Sequence, residues 1–290
     1  MEHMKSLIML LVFLLNGLGL VAQNHTEKIV RELSFARKSA ANVLKVENID
    51  GFVHVEPYNG DKVLFEVERI IRPKAANGLE KAKELSVEFK VSGDSIISYL
   101  KAPYIQSHRT NTKGNRGINI DRELEYGFTH NYTIKVPQHT NLSLITINNG
   151  DIKIRNISTD YIEASNINGA ILLENIAAEV DAKTINGNVV VSYRENPKKQ
   201  ARLETLNGNI ELLYQKALSA TIDFSSFNGD FYTDLEDLQK LSPKVEKVSS
   251  SDGSSTTYRL GQAASFKTGA GAARLELKTF NGKVIVKARG

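Results

Sequence analysis

The dipeptide Asn-Gly recurs nine times in this chain, well above what random placement of its asparagines and 20 glycines would produce. Six of the sites also share their flanks: Ile147-Asn148-Asn149-Gly150, Ile167-Asn168-Gly169, Ile185-Asn186-Gly187, Leu206-Asn207-Gly208, Phe227-Asn228-Gly229 and Phe280-Asn281-Gly282. Their glycines follow one another at intervals of 19, 18, 21, 21 and then 53 residues. Upstream of the corners stand the apolar pairs Leu142/Leu144, Ile162/Ala164, Val180/Ala182, Ala201/Leu203, Ile222/Phe224 and Leu275/Leu277. Polar Ser143, Glu163, Asp181, Arg202, Asp223 and Glu276 separate the members of each pair. That alternation is the period-2 mark of a half-buried strand. A second alternating run follows each corner, from Ile152/Ile154 to Val284/Val286. Each unit therefore reads as strand, Asn-Gly corner, strand.

Two all-β folds accommodate such units. Asn-Gly between alternating strands is a strong hairpin signal, because both residues tolerate the positive φ of a type I′ turn, and that favours an antiparallel meander. A meander does not require the same corner and core positions every 18 to 21 residues, whereas a stacked β-solenoid or β-roll does. The small polar residue two before the asparagine, Thr146, Asn166, Thr184, Thr205, Ser226 or Thr279, supports stacking through a column of side chains that satisfy one another along the axis. The residues assigned to the corner turns are Asn149 and Gly150, Asn168 and Gly169, Asn186 and Gly187, Asn207 and Gly208, Asn228 and Gly229, and Asn281 and Gly282. Positive φ at these glycines predicts that Gly187→Val is strongly destabilising.

Strand patterns are less regular before residue 126, with runs over 43–46, 51–56, 62–71, 85–91 and 95–100 and a helix over 75–84. Ile49-Asp50-Gly51 and Tyr58-Asn59-Gly60 are weaker copies of the corner, so this half reads as an irregular β extension of the same sheet system. The division expected is a signal peptide at 1–22, an irregular N-terminal β region at 23–125 and a repeat solenoid at 126–290. The 53-residue interval is read as a flexible loop inserted at about 236–273.

One lysine, the apolar run Leu7–Leu15, the interruption Asn16-Gly17 and a small residue at Ala22 make the start a cleavable export signal, too short to span a bilayer. No second apolar segment of membrane length follows, which predicts a periplasmic, surface-exposed or extracellular protein. The chain has no cysteine, which removes disulfides, thiolate metal sites, cysteine nucleophiles and lipidation at a cysteine. A formal charge of +4 from 37 basic and 33 acidic residues does not point to nucleic acid.

Motifs for catalysis, cofactors and metals are missing: no nucleophile elbow, phosphate loop, dinucleotide fingerprint or paired-histidine ligand set occurs. Glu163, Asp181, Glu204, Asp223 and Glu276 recur on one strand face, where they suit either a polysaccharide-active solenoid enzyme or cross-strand ion pairs with Lys183, Arg202 and Lys278. Asn-Gly-Asp at 149–151 and 228–230 supplies too few ligands per corner for calcium. Two binding candidates remain. Tyr193, Tyr214 and Tyr232, near the ends of second strands, offer flat rings to sugars; Tyr104, His108, Arg109, Lys113 and Arg116 form a basic segment suited to an anionic glycan or lipid headgroup. The face carrying Lys153, Leu172, Val190, Glu211, Tyr232 and Ile285 is partly apolar, as expected of a partner surface or of a face covered by the N-terminal half.

Residues Tyr132-Thr133-Ile134-Lys135-Val136-Pro137, then 142–147, then the tandem Ile-Asn-Gly units resemble the bacterial putative-adhesin superfamily. This group comprises exported domains of unknown function, described as auto-transporter adhesins with a head built on a Gly-Ile-Asn motif or as toast-rack β-solenoids. The resemblance implies an exported, β-rich, non-enzymatic protein of the cell envelope or surface, with a glycan or envelope protein as partner and no catalytic residues or cofactor. A polysaccharide-active enzyme and an envelope-stress or signalling module binding a peptide or protein stand as the alternatives.

Overall fold

The computed structural model describes residues 23–109, 116–120, 123–242, 245–249, 256–260 and 264–289. The expected signal segment 1–22 lies outside them. The described residues hold 24 strands and one short helix, Gly78–Ala82. Each repeat unit contributes one strand on either side of its corner, and the units stack in parallel, residue on residue. Leu142 lies beside Ile162, Ile162 beside Val180, Val180 beside Ala201 and Ala201 beside Leu275. After the corner the same holds for Ile152, Ile171, Val189, Ile210 and Val284. Two sheets result, joined at the corners into a β-solenoid; the long strand Ile171–Asn186 serves both, 171–176 in one and 177–186 in the other.

The apolar half of the alternation points between the sheets. Leu142, Leu144, Ile152, Ile154, Ile171, Leu173, Val189, Val191, Ile210 and Leu212 are wholly buried in one continuous core. Each such side chain contributes roughly 1.5–3 kcal/mol relative to exposure, so the column of coils is what the fold stands on.

The corners differ from hairpin turns. Gly150, Gly169, Gly187, Gly208 and Gly229 do not have left-handed φ; of the corner glycines only Gly51 and Gly282 do. Glycine is required for a different reason: a Cβ at each of these positions would fall inside the contact radius of the neighbouring coil's glycine backbone. Nor do the small polar side chains bond one another. Thr146, Thr184, Thr205 and Thr279 each donate to a glycine carbonyl one coil away, Gly51, Gly169, Gly187 and Gly208 respectively, at 2.8–3.0 Å. Asn166 does the same toward Gly150 at 2.9 Å. Asn149, read as a corner asparagine, is an extra residue at φ 54°, and Asn148 holds the equivalent position.

Order in space departs from order in sequence at both ends. The weak corner Ile49-Asp50-Gly51 joins strands Val43–Glu47 and Val53–Tyr58 into a full coil, which stacks on the 141–155 coil. Its other side is covered by Ser95–Lys101 and Tyr126–Pro137. At the far end the last coil, Ala273–Asn281 with Val284–Ala288, lies between the 200–214 and 220–233 coils, bonded to both. The chain thus makes its outermost repeat before the one beneath it. The segment read as a flexible insertion contains four strands among its described residues. Ala264–Thr268 pairs antiparallel with Ala220–Ser225 and with Gln239–Lys240, closing that end of the first sheet. Val245–Ser249 and Thr256–Leu260 form a separate hairpin.

A smaller core at the N-terminal end gathers Ile49, Ile71, Leu85, Leu100, Tyr104, Tyr126 and Phe128. Beside it His130 is fully buried and neither ring nitrogen has a hydrogen-bond partner. Burial, together with the Arg69 guanidinium on the facing strand, pushes its pKa down to about 3.

Three outcomes are expected. Gly187→Ala forces the 169–170 backbone aside and lowers stability by roughly 1–3 kcal/mol, read as a lower urea midpoint; an unchanged midpoint would show that the coils do not approach so closely. Thr205→Val keeps the shape but leaves the Gly187 carbonyl without its partner, a loss of about 1–3 kcal/mol by the same assay. Neutral His130 adds stability above its unfolded pKa of about 6.5, and that contribution is lost as the pH falls from about 6.5 toward 3. His130→Phe should therefore flatten the stability profile just below neutrality, and an identical slope in the variant would rule out His130 as the source.

Candidate interaction surface

Strand parity decides the fate of the tyrosines. Tyr193 and Tyr214 continue the inward series Val189/Val191 and Ile210/Leu212, and both are buried. Desolvation raises the pKa of the Tyr193 hydroxyl, while Tyr214 donates to Asp234 at 2.7 Å and is raised to about 12, chiefly by burial. Neither ring is open to a ligand. Tyr232 has the opposite parity and is exposed, with Lys283 Nζ 5.7 Å from its ring centroid.

Tyr104 is buried in the N-terminal core, its hydroxyl against that of Tyr126. The basic segment that follows is a hairpin: Ile105–Arg109 pairs antiparallel with Arg116–Ile120, setting Arg109 opposite Arg116 and His108 opposite Gly117. Lys113 lies outside the described residues. Tyr104 therefore belongs to the core at the base of the hairpin.

The carboxylates line the outer side of the first sheet. Glu163, Asp181, Arg202, Glu276 and Asp223 are direct neighbours across successive strands. Glu163 accepts from Ser143 at 2.7 Å. Arg202 pairs with Glu276 at 3.0 Å, and Arg274 with Asp223 at 3.0 Å and Glu276 at 2.9 Å. Burial, with Glu204 and Glu163 close by, raises the pKa of Asp181 against the opposing pull of Arg202. Arg202, Glu276, Arg274 and Asp223 thus form an ion-pair ladder at one end of this row. The corner aspartate Asp151 is also engaged, accepting from the Ala170 amide at 2.7 Å. Among the described residues no group of three or more His, Asp or Glu side chains could hold a metal ion.

Among the described residues, the strands of the N-terminal half extend the second sheet at the end of the stack. Leu172, Val190 and Ile285 are half-buried there by their own column neighbours. At the loops opposite the corners two grooves of about 980 and 660 Å³ meet at Ala40 and His139. The larger is walled by Phe35, Tyr58 and Pro137 and rimmed by Arg37, which is held by Asp94 at 2.8 Å.

A regular surface feature lies along the Asn-Gly corners. Asn168 donates to Asn148, Asn186 to Asn168, Asn207 to Asn186, Asn281 to Asn207 and Asn228 to Asn281, each at 2.8–2.9 Å through side-chain amides. Next to this ladder the residue before each asparagine forms an outward apolar column: Ile167, Ile185, Leu206, Phe280 and Phe227, 37–73% exposed. Phe280 and Phe227 stack with centroids 4.8 Å apart and planes 3° from parallel. Ladder and column follow from the same in-register stacking that builds the core. The signal was present in the repeated apolar residue before each asparagine.

Residues 81–260 match the profile of the family described as Toastrack DUF4097. No curated protein matches the chain. Among solved structures, one described as a putative cell adhesion protein from Clostridium sporogenes aligns over 91% of this chain and 100% of its own, at 10% identity and a TM-score of 0.45. One described as a putative adhesin from Bacteroides fragilis aligns over 91% and 97%, at 12% identity and 0.41. A third, described as a putative lipid binding protein from Parabacteroides distasonis, aligns over 91% and 97%, at 10% identity and 0.26. The profile match spans more than half of the 290 residues, and on that basis the chain belongs to the Toastrack DUF4097 family.

Proposed function

We propose that this protein is an exported, non-enzymatic component of the bacterial cell envelope or surface that works as an adhesin-type interaction scaffold. The observation that carries the reading is the corner edge, where a rigid backbone presents the same apolar and amide groups coil after coil. Repetition of one surface element suits multivalent attachment to a repetitive partner. Of the carboxylates that a solenoid hydrolase would need, Glu276 and Asp223 are engaged instead in ion pairs with Arg202 and Arg274. Export is supported by the leader pattern over 5–22, and among the described residues no helix is long and apolar enough to cross a membrane.

The test expresses the full chain in a bacterial host, determines the N-terminus of the product and follows its fate by fractionation and surface labelling. A mature start at Gln23 in the envelope or medium is expected, together with attachment of expressing cells to an envelope or glycan surface and no new reducing ends after incubation with glycans. Retention in the cytoplasm, or reducing ends that vanish in Glu163→Gln or Asp181→Asn, would overturn the reading.

A further inference from the structure

The corner strip has a specific chemistry. Across six coils the apolar residue, the asparagine and the glycine are all uncharged, although 24% of the chain is Asp, Glu, Lys or Arg. The following position stays uncharged in the three central coils, as Ala170, Asn188 and Asn209. The Asn188 carboxamide oxygen accepts from the Asn209 amide, and the Asn209 oxygen from the Lys283 amide, each at 2.9 Å, so this column is also held in place.

A carboxamide has two N–H groups and two acceptor lone pairs. The ladder engages one N–H and one lone pair of Asn168, Asn186, Asn207 and Asn281. Each of these side chains is exposed and keeps one donor and one acceptor for an outside group. An adjacent donor and acceptor suits a pair of neighbouring hydroxyls. Beside them Ile167, Ile185, Leu206, Phe280 and Phe227 offer the apolar surface on which the C–H face of a sugar ring packs. The motif repeats at the strand spacing of about 4.8 Å, close to the advance per sugar in an extended 1,4-linked chain.

We propose that this strip is a docking track for an extended, uncharged, 1,4-linked polysaccharide, with one sugar residue per coil. The proposal rests on the scaffold reading above and adds the ligand class. The ladder and the apolar column supply no cation, which an anionic glycan would need along the track, and of the charges beside them Asp151 and Asp230 are acidic and only Lys283 is basic. Amides locked by their neighbours lose little freedom on binding, so modest contacts add up along the chain. Six laddered asparagines set the length of the site: affinity should rise with oligosaccharide length and level off near six units.

The test uses purified residues 23–290 in co-sedimentation with insoluble cellulose and chitin, with alginate-coated beads as the anionic comparison, and titration with neutral oligosaccharides of increasing length. Retention by a neutral polymer that persists in high salt is expected, because no ion pair drives it. The double variant Ile185→Lys/Leu206→Lys alters two exposed side chains; it should keep the melting temperature and weaken retention by about tenfold or more. Retention unchanged in the double variant, binding confined to alginate, or no retention by either neutral polymer would overturn the proposal. A dimer that the double variant dissolves, without glycan retention, would assign the strip to a second copy of the chain. Attachment of expressing cells to another partner, with no retention by either neutral polymer, would leave the scaffold reading standing while this proposal fails.

Discussion

The close approach of glycine backbones at the corner is the constraint on which the rest of the structure depends. With no Cβ between them, neighbouring coils meet at their glycines, and a threonine from one coil satisfies the glycine carbonyl of the next. A buried carbonyl left unbonded costs about 1–3 kcal/mol, so the hydrogen bond fixes the stacking as firmly as the sterics do. A slip of one residue would take threonine from carbonyl, put a Cβ where only hydrogen fits and turn the apolar residues outward. In-register stacking then follows for everything else. The core column, the ion-pair ladder on the first sheet and the asparagine ladder at the corner express one translation repeated.

A solenoid has two ends, and exposed ends invite further strands. The N-terminal end is closed by antiparallel pairing of Tyr126–Pro137 with Lys62–Pro73 and of the latter with His25–Ser34. That outermost strand is edged with charge, including Lys28 against Glu66 and Lys62 against Glu32. At the other end Ala264–Thr268 and Gln239–Lys240 close the first sheet, while the second ends on the three-residue strand Phe231–Thr233. A short edge limits pairing without abolishing it. The last coil is threaded between two made earlier, so its slot stays open until residues 273–288 are available. Such long-range closure raises contact order, and slow folding is the physical consequence.

Local periodicity made most of this legible. The apolar alternation named the core residues, and the 18-to-21-residue spacing distinguished a stack from a meander. Even the irregular half was readable: 62–71 and 95–100 correspond to strands Lys62–Pro73 and Ser95–Lys101. What escaped was whatever depends on partners distant in sequence. No local pattern says that the 273–288 coil sits beneath the 220–233 coil, or that the Asn148 side chain, not that of Asn149, joins the ladder. The glycines were assigned to positive φ because that is what Asn-Gly does in a hairpin, whereas their reason here is the neighbouring backbone. The tyrosines show a signal present and unused: Tyr193 and Tyr214 share the parity of the core residues beside them, which predicts burial. His130 has inward parity too, but its solitude depends on which groups the fold brings around it.

The separation between stability and recognition follows from the same geometry. Threonine and glycine hold the coils from inside the corner, and the asparagine and the residue before it point outward from the same few atoms of backbone. Changing an outward side chain therefore leaves the stacking bonds intact, whereas changing an inward one disturbs the whole register. Leu206 can be altered at the surface while Thr205 beside it keeps the Gly187 carbonyl. A scaffold built this way can vary what it presents, coil by coil, at little expense in folding. The gradient from Ile167 and Ile185 through Leu206 to Phe280 and Phe227 is such a variation, growing more aromatic and more exposed toward one end of a backbone that repeats unchanged.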